Sequence, residues 1–297
     1  MFLGYNTNGF SSHRIEDAVA VLSDIGYTSI ALTLDHQHID PPDRRGVAGA
    51  LRRLAPLLRG TADDGRKAES APDRAPLRVT IETGARYVLD GRRKHFPTLL
   101  SSTAELRRVR GGFLNAAIDV AGALAADSVS FWSGTADDEA DESICYDRLA
   151  AGIGELLERA EPLGVRLSFE PEPGMFIDTM DRFAELHRLI DHPLFGLTLD
   201  VGHVHCLGDG CIAEHIRRWR NVLWNVHIED MMPGRHEHLM FGEGTIDFAA
   251  IFAVLTEIEY DGPVHVELSR HSHDAVDVAR RSFEFLSRFL GDAASGC

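Results

Sequence analysis

Four side chains in this 297-residue chain, Glu170, Asp200, His227 and Glu267, are of types that together bind a divalent cation. Each lies at the end of a short, apolar-rich run of strand character, and each has the same parity within its run. Three carboxylates and one imidazole offer mixed oxygen and nitrogen ligation, suited to Mn, Mg, Co or Zn, and no thiolate is among them. A single carboxylate at a strand end commonly caps a helix or joins an ion pair. Four on successive strands with matching parity ask for another reason, because burying three carboxylates together is costly without a cation.

The segment 221–247, NVLWNVHIEDMMPGRHEHLMFGEGTID, shows how the chain presents such groups. Val226 and Ile228 alternate with Asn225, His227 and Glu229, which predicts a strand with one apolar and one polar face. A loop over Met231 to Met240 follows and carries His236 and His238. Gly242-Glu243-Gly244 then turns into a helix with Asp247 near its start and Phe248, Ile251, Phe252 and Leu255 on one face.

The rest of the chain repeats this plan. Strands are expected at Phe2 to Asn6, Ser29 to Asp35, Leu77 to Glu82, Ser128 to Trp132, Val165 to Glu170, Gly196 to Asp200, from Asn221 onward, and Val264 to Leu268. Helices fall between them, with Ser12, a Ser102–Glu105 capping box and Asp178 as N-terminal signals. The helix after the third strand should carry Leu106, Val109, Phe113, Ala117, Val120 and Leu124 inward. About eight strands alternating with about eight helices predict a single-domain (β/α)8 barrel over 1–297. No GxGxxG follows the first strand and no P-loop occurs, which weighs against an open doubly wound sheet. Polar residues 60–76 read as a flexible surface loop. At the mouth the matching parity gathers Asn6, Asp35, Glu82, Trp132, Glu170, Asp200, His227 with Glu229, and Glu267.

Composition narrows the partners. Thirty basic against 46 acidic residues, a net charge of −16, weigh against binding to phosphate backbones. No apolar run reaches the roughly 18 residues of a membrane span. The start MFLGYNTNGF lacks the pattern of a secretion signal. Cys145, Cys206, Cys211 and Cys297 form no CxxC pair, so reduced thiols and a cytoplasmic setting are expected. Lys94 and His95, with Arg86, Arg92 and Arg93, form a cationic stretch open to two readings: a solvated loop face, or a clamp for a substrate phosphate or carboxylate. Trp132 either packs or stacks on a sugar. His36 and His38 fit a place on the rim.

Five motifs carry a resemblance: FEPEPG at 169–174, LDVGH at 199–203, VHIED at 226–230, GEGTIDF at 242–248 and VHVEL at 264–268. In order and strand placement they resemble the xylose-isomerase-like TIM-barrel superfamily, which includes sugar-phosphate isomerases and epimerases, ketose 3-epimerases, hydroxypyruvate and inosose enzymes, and endonuclease IV. The resemblance implies one divalent ion held by Glu170, Asp200, His227 and Glu267. It also implies that Glu170 and Glu267 are catalytic, moving a proton beside a carbonyl while the metal steadies the enediolate. The implied substrate is a small sugar, sugar phosphate or cyclitol, with Trp132, Lys94 and His95 as substrate-binding residues. His203 matches a family histidine near the substrate or a further metal, so His203, His236 and His238 are candidates for a second ion or for substrate binding. The strand ends Glu82-Thr83-Gly84 and Trp132-Ser133-Gly134 lack the extra histidines of endonuclease IV, which argues against a nuclease. A metal-dependent lyase or hydrolase and a non-catalytic metabolite-binding protein remain as alternatives, and a homo-oligomer is compatible with all three.

Overall fold

Strand residues of one parity bury against helices while the other parity turns inward, and that division sets the whole architecture. A computed structural model describes residues 1–290 apart from 42, 61–74 and 85. The stretch expected to form a flexible loop, 60–76, therefore lies almost wholly outside the described residues, as does Cys297. The strands are β1 (Phe2–Asn6), β2 (Ser29–Thr33), β3 (Arg78–Glu82), β4 (Ser128–Phe131), β5 (Leu167–Phe169), β6 (Phe195–Asp200), β7 (Leu223–Ile228), β8 (Asp230–Met232), β9 (Arg235–Leu239) and β10 (Pro263–Val266). Eight of them close a parallel barrel in the order β1-β10-β7-β6-β5-β4-β3-β2, while β8 and β9 form a separate antiparallel hairpin. Among the described residues the helices are α1 (Ile15–Ile25), α2 (Arg44–Leu58), α3 (Ala104–Leu124), α4 (Glu142–Ala160), α5 (Met180–Ile190), α6 (Val201–Leu207), α7 (Ile212–Trp219), α8 (Phe248–Glu257) and α9 (Ala275–Leu290). The expected TIM barrel is the observed fold.

The core lies between barrel and helices. Leu32, Ile81, Val129, Leu167, Leu197, Val226 and Val264 are buried there with side chains such as Leu22, Leu114 and Leu286 from the helices. Each such side chain contributes about 1.5–3 kcal/mol by leaving water. The barrel interior is different. Layers of branched aliphatic side chains usually fill it, whereas here Ser29, Ser130, Thr198, Asn225 and His265 occupy it. Hydrogen bonds spanning the barrel show that they point inward: Thr198 Oγ1 donates to Ser130 Oγ at 3.1 Å, and Asn225 Nδ2 to Glu82 at 3.3 Å.

Several local expectations shift. The residues after β1 form a 3-10 turn, Thr7–Phe10, capped by Asn6, so α1 starts at Ile15 rather than beside Ser12. Thr103, not Ser102, caps α3, and Thr179, not Asp178, caps α5; in each pair the neighbour that reaches the free N–H groups wins. Val109 is 47% exposed and Arg110 takes the inward place. The Arg110 guanidinium lies 4.3 Å over the Trp132 ring and donates to the Thr83 carbonyl. After β6 there are two short helices instead of one. The histidine loop is the β8–β9 hairpin.

Gly4 is required by close approach. A Cβ there would sit 2.3 Å from His265 Cδ2 and 2.9 Å from the Ser29 carbonyl oxygen. Gly154, inside α4, has open space where its Cβ would be. Gly4→Ala should therefore lose about 1–3 kcal/mol in a urea titration, and Gly154→Ala should gain up to about 1 kcal/mol. An unchanged urea midpoint for Gly4→Ala would contradict the tight packing around His265.

Candidate metal centre and active site

The ends of β5, β6, β7 and β10 bring the four expected ligands together. Glu170, Asp200, His227 and Glu267 each offer one ligand atom, and those atoms all lie within 4.8 Å of one another. His227 Nδ1 is 3.0 Å from both Glu170 Oε1 and Glu267 Oε2. Its Nε2 donates to Glu82 Oε1 at 2.9 Å. Asn8, in the turn after β1, donates from Nδ2 to Glu267 Oε1 at 2.8 Å. Asp200 caps α6 by accepting the His203 N–H on Oδ1, and its buried Oδ2 has no hydrogen-bond partner, His203 Nε2 standing 3.5 Å away. Both oxygens of the fully buried Glu229 likewise lack a hydrogen-bond partner, with His238 Nδ1 3.8 Å from Oε2. Burying partnerless carboxylate oxygens costs several kcal/mol unless a proton or a cation compensates, on the order of the desolvation penalty for such groups. The donor set, its spacing and the orphaned oxygen of Asp200 fit a divalent ion.

Electrostatics record the crowding. Burial pushes the Glu170 carboxyl up to about 8. Burial, then the neighbouring carboxylates, raise Glu172 and Glu229 well above the usual carboxylate range. Burial opposes charge on Glu267 too, but His227 outweighs it and holds that carboxyl low. Burial opposes the cationic form of His227, yet Glu82, Glu170 and Glu267 raise it well above an ordinary imidazole. A proton on Nδ1 thus occupies the place where a cation would neutralise the same oxygens.

A second cluster stands beside the first. His236 and His238 project from β9, and His236 Nε2 comes within 3.1 Å of His203 Nε2. A neutral His236 can donate its Nε2 proton to the His203 Nε2 lone pair across that distance, and a cation could take the proton's place. His203 donates from Nδ1 to the Pro171 carbonyl, which leaves the Nε2 lone pair to face His236. Burial keeps His203 neutral by lowering it to about 4. His238 Nδ1 donates to the Glu267 carbonyl at 2.9 Å. The hairpin is stapled in place by Asp230, whose carboxylate accepts from the N–H groups of Met231, Gly242 and Ile246. Gly244 is needed there, since a Cβ would meet Asp230 Oδ1 at 2.2 Å. The VHIED and GEGTIDF motifs are therefore partly a structural pair.

A cavity of about 380 Å³ opens over the centre, and Trp132, Lys94 and His95 line it with Glu172, His236 and His238. His95 is anchored through Nδ1 to the Gly84 carbonyl, with its ring 5.0 Å from that of Trp132. One expectation fails. Asp35 turns away from the mouth to accept the N–H groups of Gln37 and His38, and Thr33 lines the cavity in its place. His36 pairs with Asp40 on the surface, and His38 reaches the Phe10 carbonyl, so neither reaches the cavity. Glu82 and Glu172 reach the centre without having been assigned a role there. Their signal was present, in strand-end parity for Glu82 and in the doubled glutamate of FEPEPG for Glu172.

The model of the xylose isomerase-like TIM barrel matches residues 72–289. The chain belongs to the xylose isomerase-like TIM-barrel family. Within that family it is 29% identical over 136 residues to an inosose dehydratase of Clostridium beijerinckii, covering 40% of this chain and 45% of the relative. It is 27% identical over 128 residues to the L-ribulose-5-phosphate 3-epimerase UlaE of Salmonella paratyphi C, covering 43% and 44%. The chain thus matches less than half the length of these curated relatives. The crystal structure of the IolI protein with a zinc atom superposes with a TM-score of 0.73 at 16% identity, over 97% of this chain and 99% of that one, a likeness of fold. No helix among the described residues is long and apolar enough to cross a membrane.

The raised groups fix a pH dependence. Glu170, at about 8 in the fold, and His227, also raised, bind more protons folded than unfolded. Their stabilisation is complete below the unfolded values, about 4.5 and 6.5, and is lost as pH rises through the folded ones. Chelator-treated protein should therefore melt at lower temperature at pH 8.5 than at pH 5.5. Added Mn or Zn, which displaces the protons, should raise the melting temperature more at the higher pH. A melting temperature independent of pH, with equal ion shifts at both, would contradict this.

Proposed function

We propose that the protein is a divalent-metal-dependent isomerase or epimerase of a small sugar, sugar phosphate or cyclitol, working by proton transfer at the carbon beside a carbonyl. The observation that carries this reading is the convergence of Glu170 and Glu267 on one nitrogen of His227, both 3.0 Å from Nδ1, beneath a cavity of small-molecule size. The relatives named inosose dehydratase and L-ribulose-5-phosphate 3-epimerase support it. Glu170, Asp200, His227 and Glu267 would hold the ion. Bound there, a divalent ion supplies Lewis acidity toward a substrate carbonyl and hydroxyl.

The remaining chemistry belongs to the side chains. Glu170 and Glu267 come from β5 and the end of β10, strands separated in the barrel by β6 and β7. They can therefore address a substrate from two sides, one removing a proton and the other returning it. Asn8 fixes the Glu267 carboxylate through Oε1 and leaves Oε2 directed toward the centre. Trp132 offers apolar surface to a sugar, and Lys94 and His95, the latter beside the Trp132 ring, offer polar contacts.

A second reading takes the 3.1 Å approach of His203 and His236 as the seat of another ion, held with His238. Neutral imidazoles with an open position for water would favour a lyase or hydrolase on a sugar-like substrate. One experiment separates the two. When a ketose or aldose is turned over in deuterated water, solvent deuterium should enter at the carbon beside the carbonyl. Glu267→Gln should slow that turnover by at least about 10²–10⁴-fold, the range of general acid–base catalysis. Turnover with no deuterium incorporated would sink the proton-transfer reading and favour hydride transfer or hydrolysis.

A further inference from the structure

Beneath the proposed metal centre a line of polar side chains crosses the barrel where branched aliphatic residues would ordinarily pack. Ser29, Asn225 and His265 are fully buried, and Glu82 and His227 nearly so. His227 Nε2 and Asn225 Nδ2 both lie within hydrogen-bonding distance of Glu82 Oε1, at 2.9 and 3.3 Å. Asn225 Oδ1 lies 2.8 Å from His265 Nδ1, and His265 Nε2 lies 2.8 Å from Ser29 Oγ. Gly4 provides the room, since any Cβ there would strike the His265 ring.

Burial raises the Glu82 carboxyl and the neighbouring His227 opposes that; with Glu82 ionised, one arrangement of protons satisfies the whole line. The Glu82 carboxylate can only accept, so Asn225 must turn its NH2 toward it and its oxygen toward His265. His265 then donates from Nδ1 and accepts the Ser29 hydroxyl on Nε2. The reverse orientation would set the Asn225 oxygen against the Glu82 carboxylate. The same requirement applies to His227. Its Nε2 must carry a proton to face Glu82, so Nδ1 is the nitrogen left for Glu170, Glu267 and an ion. Asn225 Nδ2 and His227 Nε2 lie 3.1 Å apart because both donate to a single oxygen.

We propose that Glu82 is a positioning residue for the metal centre: it fixes His227 as an Nδ1 ligand, and the Asn225–His265–Ser29 line fixes Glu82. This rests on the metal-dependent reading above. A carboxylate behind a ligating imidazole orients the ring and raises its basicity, and removal of such a partner typically lowers metal affinity roughly 10–100-fold.

The test uses zinc, whose filled shell permits NMR. In ¹⁵N-histidine-labelled, zinc-loaded wild-type protein, His227 should show a protonated Nε2 and a zinc-shifted Nδ1. Zinc affinity, measured by competition with a chromogenic chelator, should fall roughly 10–100-fold in Glu82→Leu. Glu82→Gln keeps an acceptor oxygen and should recover part of that loss. A merely structural Glu82 would lower the melting temperature of Glu82→Leu and leave its zinc affinity at the wild-type value. That outcome overturns the proposal, as does zinc bound through Nε2 of His227. If Glu82→Leu does not fold, the wild-type spectrum and Glu82→Gln decide. Wild-type protein that binds no zinc, Mn or Co overturns the metal-dependent reading itself, a result distinct from an altered affinity in the variants.

Discussion

Carboxylates gathered in a buried space must share positive charge, and in this barrel one histidine stands where that charge is needed. His227 has Glu82 on one side and Glu170 and Glu267 on the other, all within 3.0 Å. Where those carboxyl groups are ionised, the contacts would be repulsive without a proton or cation on the imidazole. The surrounding structure serves that arrangement. Register pairs His227 with Asp200 on β6 and with His265 on β10, so the strand ends deliver their side chains at one height. Nearby, Asn8 holds Glu267, and Asp230 ties down the hairpin that brings in His236 and His238.

The division of labour across the sheet explains how a polar interior is compatible with a stable fold. Outward-facing residues meet the helices and supply the apolar burial. The inner parity is thereby released from packing duty and can carry serines, threonines, an amide and two histidines, provided that each finds a partner. Cross-barrel bonds such as Thr198 to Ser130 meet that condition. Among the buried atoms without a hydrogen-bond partner, Asp200 Oδ2 and the two oxygens of Glu229 stand together at the C-terminal mouth, while others such as Thr80 Oγ1 lie elsewhere. Unpaired polar atoms concentrated at one place are what a binding site requires and a scaffold avoids.

The barrel and the four proposed ligands were legible in the sequence because strand periodicity is two. Once Val226 and Ile228 are assigned to the outer face, His227 can only point inward, and the same step assigns Glu170, Asp200 and Glu267. Helix starts were legible to within a few residues, because adjacent Ser, Thr and Asp compete for the same N–H groups and only tertiary placement chooses between Ser102 and Thr103. Arg110 was not legible, since a charged residue on an amphipathic helix reads as solvated until Trp132 and the Thr83 carbonyl are seen beside it. The β8–β9 hairpin escaped because its short strands are charged and methionine-rich, and its place depends on Asp230 reaching loop N–H groups up to 16 residues away. Asp35 has the right parity, but β2 ends at Thr33 and the Asp35 carboxylate instead accepts the N–H groups of Gln37 and His38.

Crystals grown with Mn or Zn and measured across that metal's absorption edge test the central claim most directly, because anomalous scattering locates the ion without reference to activity. The account requires an anomalous peak within ligand distance of Glu170, Asp200, Glu267 and the Nδ1 atom of His227. Fully loaded crystals with no peak among those four residues, or with the ion confined to His203, His236 and His238, would contradict it.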